Sequence, residues 1–208
     1  MLKPLVLIAL LIAGPAAATQ EYILPTLFDV AGVAADDILN IRAAPSVSAP
    51  VIGVLASDAT GVEVTAQDAS GRWGQVNAGE RAGWVAMRFL NYRSDVWQAG
   101  TVPEGFSCAG TEPFWGFRLV QGGLVWEEPD HRITLSGAQI LDSGVFRDPS
   151  RAILVEDDHD LLMASVTPKQ CSDGMSDMAY GLEATVILQS RDQPARMYRG
   201  CCRIAPPR

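Results

Sequence analysis

Apolar and polar residues alternate in short runs along most of the chain, with the two-residue period of a β-strand that has one buried face. The segment 62–66 alternates in this way in the first half of the chain, and the segment 182–188 does so in the second half. Glycine, proline, aspartate and asparagine separate the runs, and no long helical period follows residue 18. The pattern therefore predicts an all-β protein.

The positions of the turns predict two β-rich units. Residues 27–92 have short strands and tight turns, which are typical of a small barrel, and its expected core residues are Ile41, Val54, Val64, Val76 and Val85. Residues 106–208 have longer alternating runs and predict an antiparallel barrel or sandwich of about six to eight strands. The residues between them, 93–105, are polar and contain glycine and proline, which indicates a linker. Within it, Trp97 is expected to pack between the two units.

Motifs of the first unit follow one another in the order of a known family. They are Leu39-Asn-Ile-Arg42 with Pro45, then Val51-Ile-Gly53, then Trp73 before Val76, and finally Gly83-Trp-Val85. In these motifs the segment 27–92 resembles a bacterial SH3 domain. The resemblance implies a small β-barrel that binds cell-wall peptide, glycan or a protein, although the fold alone does not identify the ligand.

Two tryptophans of this unit are candidate ligand-binding residues. Trp73 and Trp84 are candidates because aromatic faces stack on sugars and on prolines. The alternative is that both indoles only cover the barrel, which we favour for Trp84. Arg42 is expected to be a structural hydrogen-bond donor.

The second unit carries motifs of its own. They are Cys108 with Gly110-Thr-Glu-Pro-Phe-Trp115, then Cys171-Ser-Asp-Gly-Met-Ser-Asp177 with Tyr180, and then Gly200-Cys201. In these motifs the segment resembles a group of bacterial envelope β-barrel domains of unassigned activity. The resemblance implies export and a β fold, but no reaction.

The first 18 residues have the pattern of a secretory signal peptide. Lys3 precedes an apolar run, Leu5–Ala13, and Ala16-Ala17-Ala18 forms a small-residue cleavage site. The run is shorter than the roughly 20 residues that span a bilayer. We therefore expect residues 1–18 to be removed, leaving a periplasmic or secreted protein that is not inserted in a membrane.

The charge of the chain narrows the class of partner. Lys3 is the only charged residue of the signal segment, so its removal changes the formal net charge from −8 to −9. Nucleic acids and anionic lipids are bound mainly by clustered basic side chains, and this chain has no such cluster. Wall peptides, glycans and envelope proteins remain as the expected partners.

All four cysteines lie in the second half of the chain, at positions 108, 171, 201 and 202. In an exported protein they are expected to form disulfides. Cys201 and Cys202 are adjacent, so they point to opposite faces of a strand and should reach different partners. Those partners are then Cys108 and Cys171, but the sequence leaves open which of the pair each one binds.

The segment 171–181 has two interpretations. As a cross-linked loop, it would turn at Asp173-Gly174, bury Met175 and Tyr180 under the barrel, and be capped by Asp173 and Asp177. As a site, it would contribute to a barrel mouth at which ligands enter. The residues expected to converge there are Glu112, Trp115, Asp173, Ser176 and Tyr180.

Catalytic chemistry finds little support in the sequence. Ser176 lacks the glycines of a nucleophile elbow, and His131 and His159 are the only histidines. The cysteine spacing fits neither a zinc site nor a redox pair, so we predict no metal and no cofactor. The prediction is a non-catalytic envelope-binding protein. The alternative is a cell-wall hydrolase or amidase targeted by its SH3-like unit, using a free thiol or a Ser/His site.

Overall fold

The computed structural model describes residues 22–191 and 193–206, so the expected signal peptide lies outside the described residues. The fold is all-β, as predicted, with seventeen strands in three antiparallel sheets. No helix in the described part of the chain is long and apolar enough to cross a membrane.

The N-terminal half, residues 22–92, contains a three-stranded sheet in the order β4-β1-β8 and a five-stranded sheet in the order β3-β2-β7-β6-β5. Its elements are β1 Thr26–Val30, β2 Ile38–Arg42, β3 Val51–Ala56, β4 Val62–Val64, β5 Ala66–Gln67, β6 Trp73–Ala78, β7 Arg81–Ala86, a 3-10 helix Met87–Phe89 and β8 Leu90–Tyr92. One apolar core serves both sheets, and it contains Ile41, Val64, Val76 and Val85 as predicted.

Val54 is the exception in that core prediction, because it is 52% exposed. It pairs across the strands with Asn40, on the outward face of β2, while the neighbouring pair of Leu55 and Leu39 is buried. Successive strand residues face opposite ways, so Leu55 takes the place in the core that the sequence assigned to Val54.

The C-terminal half, residues 106–206, forms one nine-stranded sheet, more than the six to eight strands predicted. Its strands are β9 Ser107–Thr111, β10 Phe114–Val120, β11 Gly123–Glu128, β12 His131–Ser136, β13 Gln139–Asp142, β14 Arg151–Glu156, β15 Asp160–Cys171, β16 Tyr180–Ser190 and β17 Arg196–Arg203. Two meanders, β9–β12 and β13–β17, are joined by the pairing of β17 with β9. One face of the whole sheet encloses a single apolar core. In addition, β12 contacts β14, although the two are not neighbours in the sheet order.

Both disulfides lie around the β9–β17 junction. Cys202 lies directly opposite Cys108 across the two strands and is bonded to it, while Cys201 is bonded to Cys171 at the end of β15. Cys201 and Cys202 therefore reach different partners, as predicted, and the strand order decides the pairing that the sequence left open.

The segment 93–105 packs against both halves. Trp97 belongs to the C-terminal core, and its indole Nε1 donates to the carbonyl of Pro25 at 2.8 Å. The Arg151 guanidinium covers the same ring at 4.9 Å and donates to the carbonyls of Thr101 and Gln98. The prediction that Trp97 packs between the two units is confirmed.

The loop 172–179 contacts the β6–β7 turn of the N-terminal half. Asn77 donates its side-chain amide to the carbonyl of Ala179 at 2.8 Å and accepts the Ala179 N–H at 3.0 Å. The backbone of Asp177 bonds Glu80 and Ala82, which lie on either side of Arg81. The loop that looked like a site in the sequence thus joins the two halves.

Candidate binding groove

The outward face of the five-stranded sheet carries two half-buried tryptophans, Trp73 and Trp84. Cross-strand pairing places Trp73 opposite Ala86, and it places Trp84 opposite both Gln75 and Arg42. Directly paired residues share a face, and this face is opposite the one that contributes Val76 and Val85 to the core. Both tryptophans are half-buried rather than enclosed.

A groove of about 420 Å³ lies along this face and is lined by Trp73. Its other side chains that carry charge or an aromatic ring are Asp37, Arg42, Arg88 and Phe89. The Arg88 guanidinium covers the Phe89 ring at 4.6 Å. Two arginines against one aspartate leave the groove with a net positive charge.

Arg42 has a structural bond as well as a place in the groove. Its Nη1 donates to the carbonyl of Ala49 at 2.8 Å, which fixes the turn between β2 and β3. Trp84 lies on the same sheet face but does not line the groove. Trp73 is thus the tryptophan positioned to meet a ligand there.

In the C-terminal half, three of the five residues expected at a barrel mouth do come together. The Asp173 carboxylate accepts the Met175 and Ser176 N–H groups at 3.0 and 2.9 Å, the Ser176 hydroxyl at 2.7 Å and the Tyr180 hydroxyl at 3.1 Å. Thr111 donates to the Asp173 carbonyl at 2.6 Å. These bonds make Asp173 the internal cap of the loop, and Gly174 turns with φ of 74° as the sequence indicated.

The same contacts determine the ionisation of the cluster. Burial alone would raise the pKa of Asp173, but the hydrogen bonds from Ser176, Met175 and Tyr180 together hold it below its ordinary value. Burial is also the main reason that the pKa of Tyr180 is raised. A carboxylate kept ionised by four donors is stabilised as an acceptor, which suits a structural role better than proton transfer.

Trp115 and Glu112 do not join this cluster. Trp115 is 4% exposed and stacks on Trp126 with the ring centroids 5.1 Å apart. Its indole lies over Gly110 and Gly200, and a Cβ at Gly200 would lie 2.8 Å from the ring. Glu112 is exposed in the β9–β10 turn. The expected convergence at one mouth is therefore wrong for Trp115, whose place is in the core.

Two further expectations for the loop need correction. Met175 is 69% exposed, so it does not pack under the barrel, whereas Tyr180 does. Asp177 bonds the N-terminal half through its backbone instead of capping its own loop. Both differences arise because the loop is held against the β6–β7 turn, with its Gly174-Met175 tip exposed to solvent.

The cysteines and histidines that the sequence offered for catalysis are bonded or exposed at separate places. Each of the four cysteines is in a disulfide, which leaves no free thiol for a cysteine nucleophile. His131 and His159 are exposed on β12 and in the β14–β15 turn. Within residues 22–191 and 193–206, no three His, Cys, Asp or Glu side chains group as a metal site would require.

Sequence reasoning missed several residues of the groove. Arg88 and Phe89 lie in the 3-10 helix after β7, and Asp37 lies just before β2. An Arg-Phe pair two residues beyond the Gly83-Trp-Val85 motif was the available signal, but its position beside Trp73 depends on the pairing of β6 with β7.

Comparison with known proteins agrees with this geometry over part of the chain. No curated protein and no solved structure matches the sequence. The model of the family described as the bacterial SH3 domain matches residues 37–91, which span β2 to β8. The N-terminal half of this chain therefore contains a bacterial SH3 domain.

Proposed function

We propose that this protein binds cell-wall peptide in the bacterial envelope through the Trp73 groove of its SH3 domain, without catalysing a reaction. A bacterial SH3 domain indicates a module that binds cell-wall components or proteins, and together with two disulfides it indicates a protein outside the cytoplasm. The periplasm or the cell exterior, reached through a signal peptide, is the compartment that this function requires.

The observation that carries the proposal is the half-buried Trp73 in a groove with a net positive charge. An indole face offers a large contact area at low entropic cost. Arg42 and Arg88 lie on the same groove and supply guanidinium groups suited to carboxylates. Wall peptides carry free carboxylates whereas neutral glycans do not, so the charge favours peptide over glycan.

The test is co-sedimentation of the full chain with purified peptidoglycan. We expect the wild type to sediment, Trp73→Ala to lose most of the binding, and Trp73→Phe to keep part of it because an aromatic face remains. Phe114→Ala is the matched control, since Phe114 is a 52% exposed aromatic residue of the other half.

Competition identifies the component that is recognised. Soluble wall peptides in excess should release the protein, neutral N-acetylglucosamine oligosaccharides should not, and binding should weaken as salt is raised. Sedimentation that is unchanged in Trp73→Ala, or no sedimentation of the wild type, would contradict the proposal and favour a protein partner.

The hydrolase alternative loses its thiol version, because none of the four cysteines is free. The Ser/His version weighed from the sequence uses Ser176, whose hydroxyl is bonded to Asp173. Release of soluble fragments from peptidoglycan during the same incubation, abolished in Ser176→Ala, would support that version against the binding proposal.

A further inference from the structure

A second cavity, of about 340 Å³, lies between the SH3 domain and the C-terminal sheet. Part of its wall is apolar and comes from both halves: Leu55, Val62, Met178, Ala205 and Pro206. This cavity shares no residue with the Trp73 groove. Any role that it has is therefore separate from the proposed wall binding.

Glu63 is the unusual polar residue of the cavity. Val62 and Val64 of β4 face the SH3 core, so Glu63 faces the opposite way, toward the end of β17. Its Oε2 accepts the N–H groups of Ile204 at 3.0 Å and Ala205 at 3.1 Å. Its Oε1 is withdrawn from solvent and has no hydrogen-bond partner among the residues that the structure describes.

A buried carboxylate oxygen without a partner costs free energy, which a donor from a ligand would recover. The charged groups that line the cavity are Glu63, Glu80 and Arg203. Arg203 also covers the Tyr180 ring at 5.8 Å. Two carboxylates against one guanidinium give the cavity an excess of negative charge, which favours a cation.

We propose that this cavity binds a small ligand with a primary ammonium group beside a short apolar chain. The ammonium pairs with the Glu63 carboxylate, which turns its shielded Oε1 toward the cavity and accepts the hydrogen bond that this oxygen lacks. The apolar chain lies against Met178, Ala205 and Pro206, which line the cavity on the side of Glu63, and Glu80 adds longer-range attraction. A primary ammonium is preferred to a quaternary one because only the former has N–H donors.

The ionisation of Glu63 supports this assignment. Burial raises the pKa of Glu63 to about 7, although the two backbone N–H groups and Arg203 act in the opposite direction. A carboxyl group with this pKa is mostly ionised at pH 8 and mostly protonated at pH 6. The ionised fraction, and with it the affinity for a cation, should differ roughly tenfold between these two pH values.

The test is an NMR titration of the full chain with n-butylammonium chloride, which stays charged from pH 6 to pH 8. The Ile204 and Ala205 amides report on Glu63 directly because they donate to its other oxygen. We expect saturable shifts of both amides at pH 8 at roughly millimolar ligand. Binding should be about tenfold weaker at pH 6.

Three variants and two other ligands complete the design. Glu63→Gln should abolish saturable binding, and Glu80→Gln, in the exposed β6–β7 turn, should weaken it a few-fold. Glu183→Gln is the matched control, because that carboxylate already pairs with Lys169 and Arg199 at 3.0 Å each. Neither 1-butanol nor tetramethylammonium should produce saturable shifts of the two amides.

Several results would overturn the proposal. They are a linear, unsaturated response of the wild type, equal affinity at the two pH values, or equal shifts with 1-butanol. The pH comparison uses the unaltered protein, so it remains decisive if Glu63→Gln disturbs the interface. The sedimentation experiment with Trp73→Ala tests a different site, so either proposal can fail without the other.

Discussion

The two halves of the molecule place the same side chain, tryptophan, in opposite environments. In the SH3 domain, Trp73 and Trp84 are half-buried on an outward sheet face. In the C-terminal half, Trp115 and Trp126 are enclosed and stacked at 5.1 Å. An aromatic residue of the first kind is available to a ligand, while one of the second kind is part of the core that holds nine strands together.

The two halves also differ in their covalent cross-links. Both disulfides lie in the C-terminal half, around the strands that join its two meanders. The SH3 domain has no cysteine, and its small core lies between two sheets. The C-terminal half is thus the covalently cross-linked half, and the ligand surface that we propose lies on the half without disulfides.

The largest expected effect on stability comes from replacing a buried tryptophan. Trp115→Ala should lower the free energy of unfolding by about 4 kcal/mol, because it removes a large enclosed side chain and leaves a cavity. Trp73→Ala is the matched change in the other half and should cost less than about 1 kcal/mol. Urea denaturation of both variants measures the two values, and equal losses would contradict the contrast drawn between the halves.

The next effect concerns the disulfides. Replacing Cys108 and Cys202 together by alanine should cost about 4 kcal/mol, and replacing Cys171 and Cys201 should cost about 1 kcal/mol less, because the loop closed by the second bond is shorter. The sequence separations are 94 and 30 residues. Thermal denaturation with and without reductant measures the losses.

Amide hydrogen exchange of the same variants shows which half each bond protects. Protection should fall in β9 and β17 while β6 and β7 keep theirs. Equal loss in both halves would mean that the SH3 domain and the C-terminal sheet unfold as one unit.

The pH dependence of the junction between the halves comes next. The folded-state pKa of Glu63 is about 7, against an ordinary value of 4.5. Its contribution to the free energy of unfolding is therefore fully present below pH 4.5 and is lost as the pH rises through about 7. The loss is on the order of 3 kcal/mol at most. Denaturation from pH 5 to pH 8 should show the decline in the wild type and a flat profile in Glu63→Gln. A decline that persists in the variant would contradict this origin.

Local alternation predicted much of this fold. The segment 182–188 lies within β16, and the adjacent cysteines do reach different partners because strand residues alternate. The local pattern is weak for β9, whose five residues are small or polar, and for β13, which has only four residues. Short strands of this kind are determined by their neighbours in the sheet more than by their own pattern.

The candidate sites were harder to predict because they depend on contacts that are distant in sequence. The alternation of Trp115 with Gly116 gives the strand but not which face is enclosed, and that face depends on Gly110 and Gly200 of two other strands. The bond between Asn77 and Ala179 joins residues 102 positions apart. Glu63 has the pattern of the polar member of an alternating strand, whereas in the structure its carboxylate is covered by the end of β17.

The smallest effect that we predict tests whether the loop 172–179 is structural. Asp173→Asn should cost about 1 kcal/mol, because an amide keeps one acceptor for the backbone N–H groups but loses the charge that the Ser176 and Tyr180 hydroxyls meet. The pKa of Asp173 lies below its ordinary value of 3.8, so its contribution is present above that pH and is lost as pH falls through the lower, folded-state value. The gap between wild type and variant should therefore narrow below about pH 4.

Asp177→Asn is the control for this loop, because Asp177 contacts the β6–β7 turn through its backbone and should tolerate the change to within about 0.5 kcal/mol. Urea denaturation at pH 7 and pH 3 measures both variants. If Asp173→Asn leaves stability unchanged at pH 7 but weakens sedimentation with peptidoglycan, the loop is part of a ligand site and the contrast between a supporting half and a binding half fails. If it lowers stability and leaves sedimentation intact, the acidic cluster holds the loop against the SH3 domain and the binding surface lies in the N-terminal half alone.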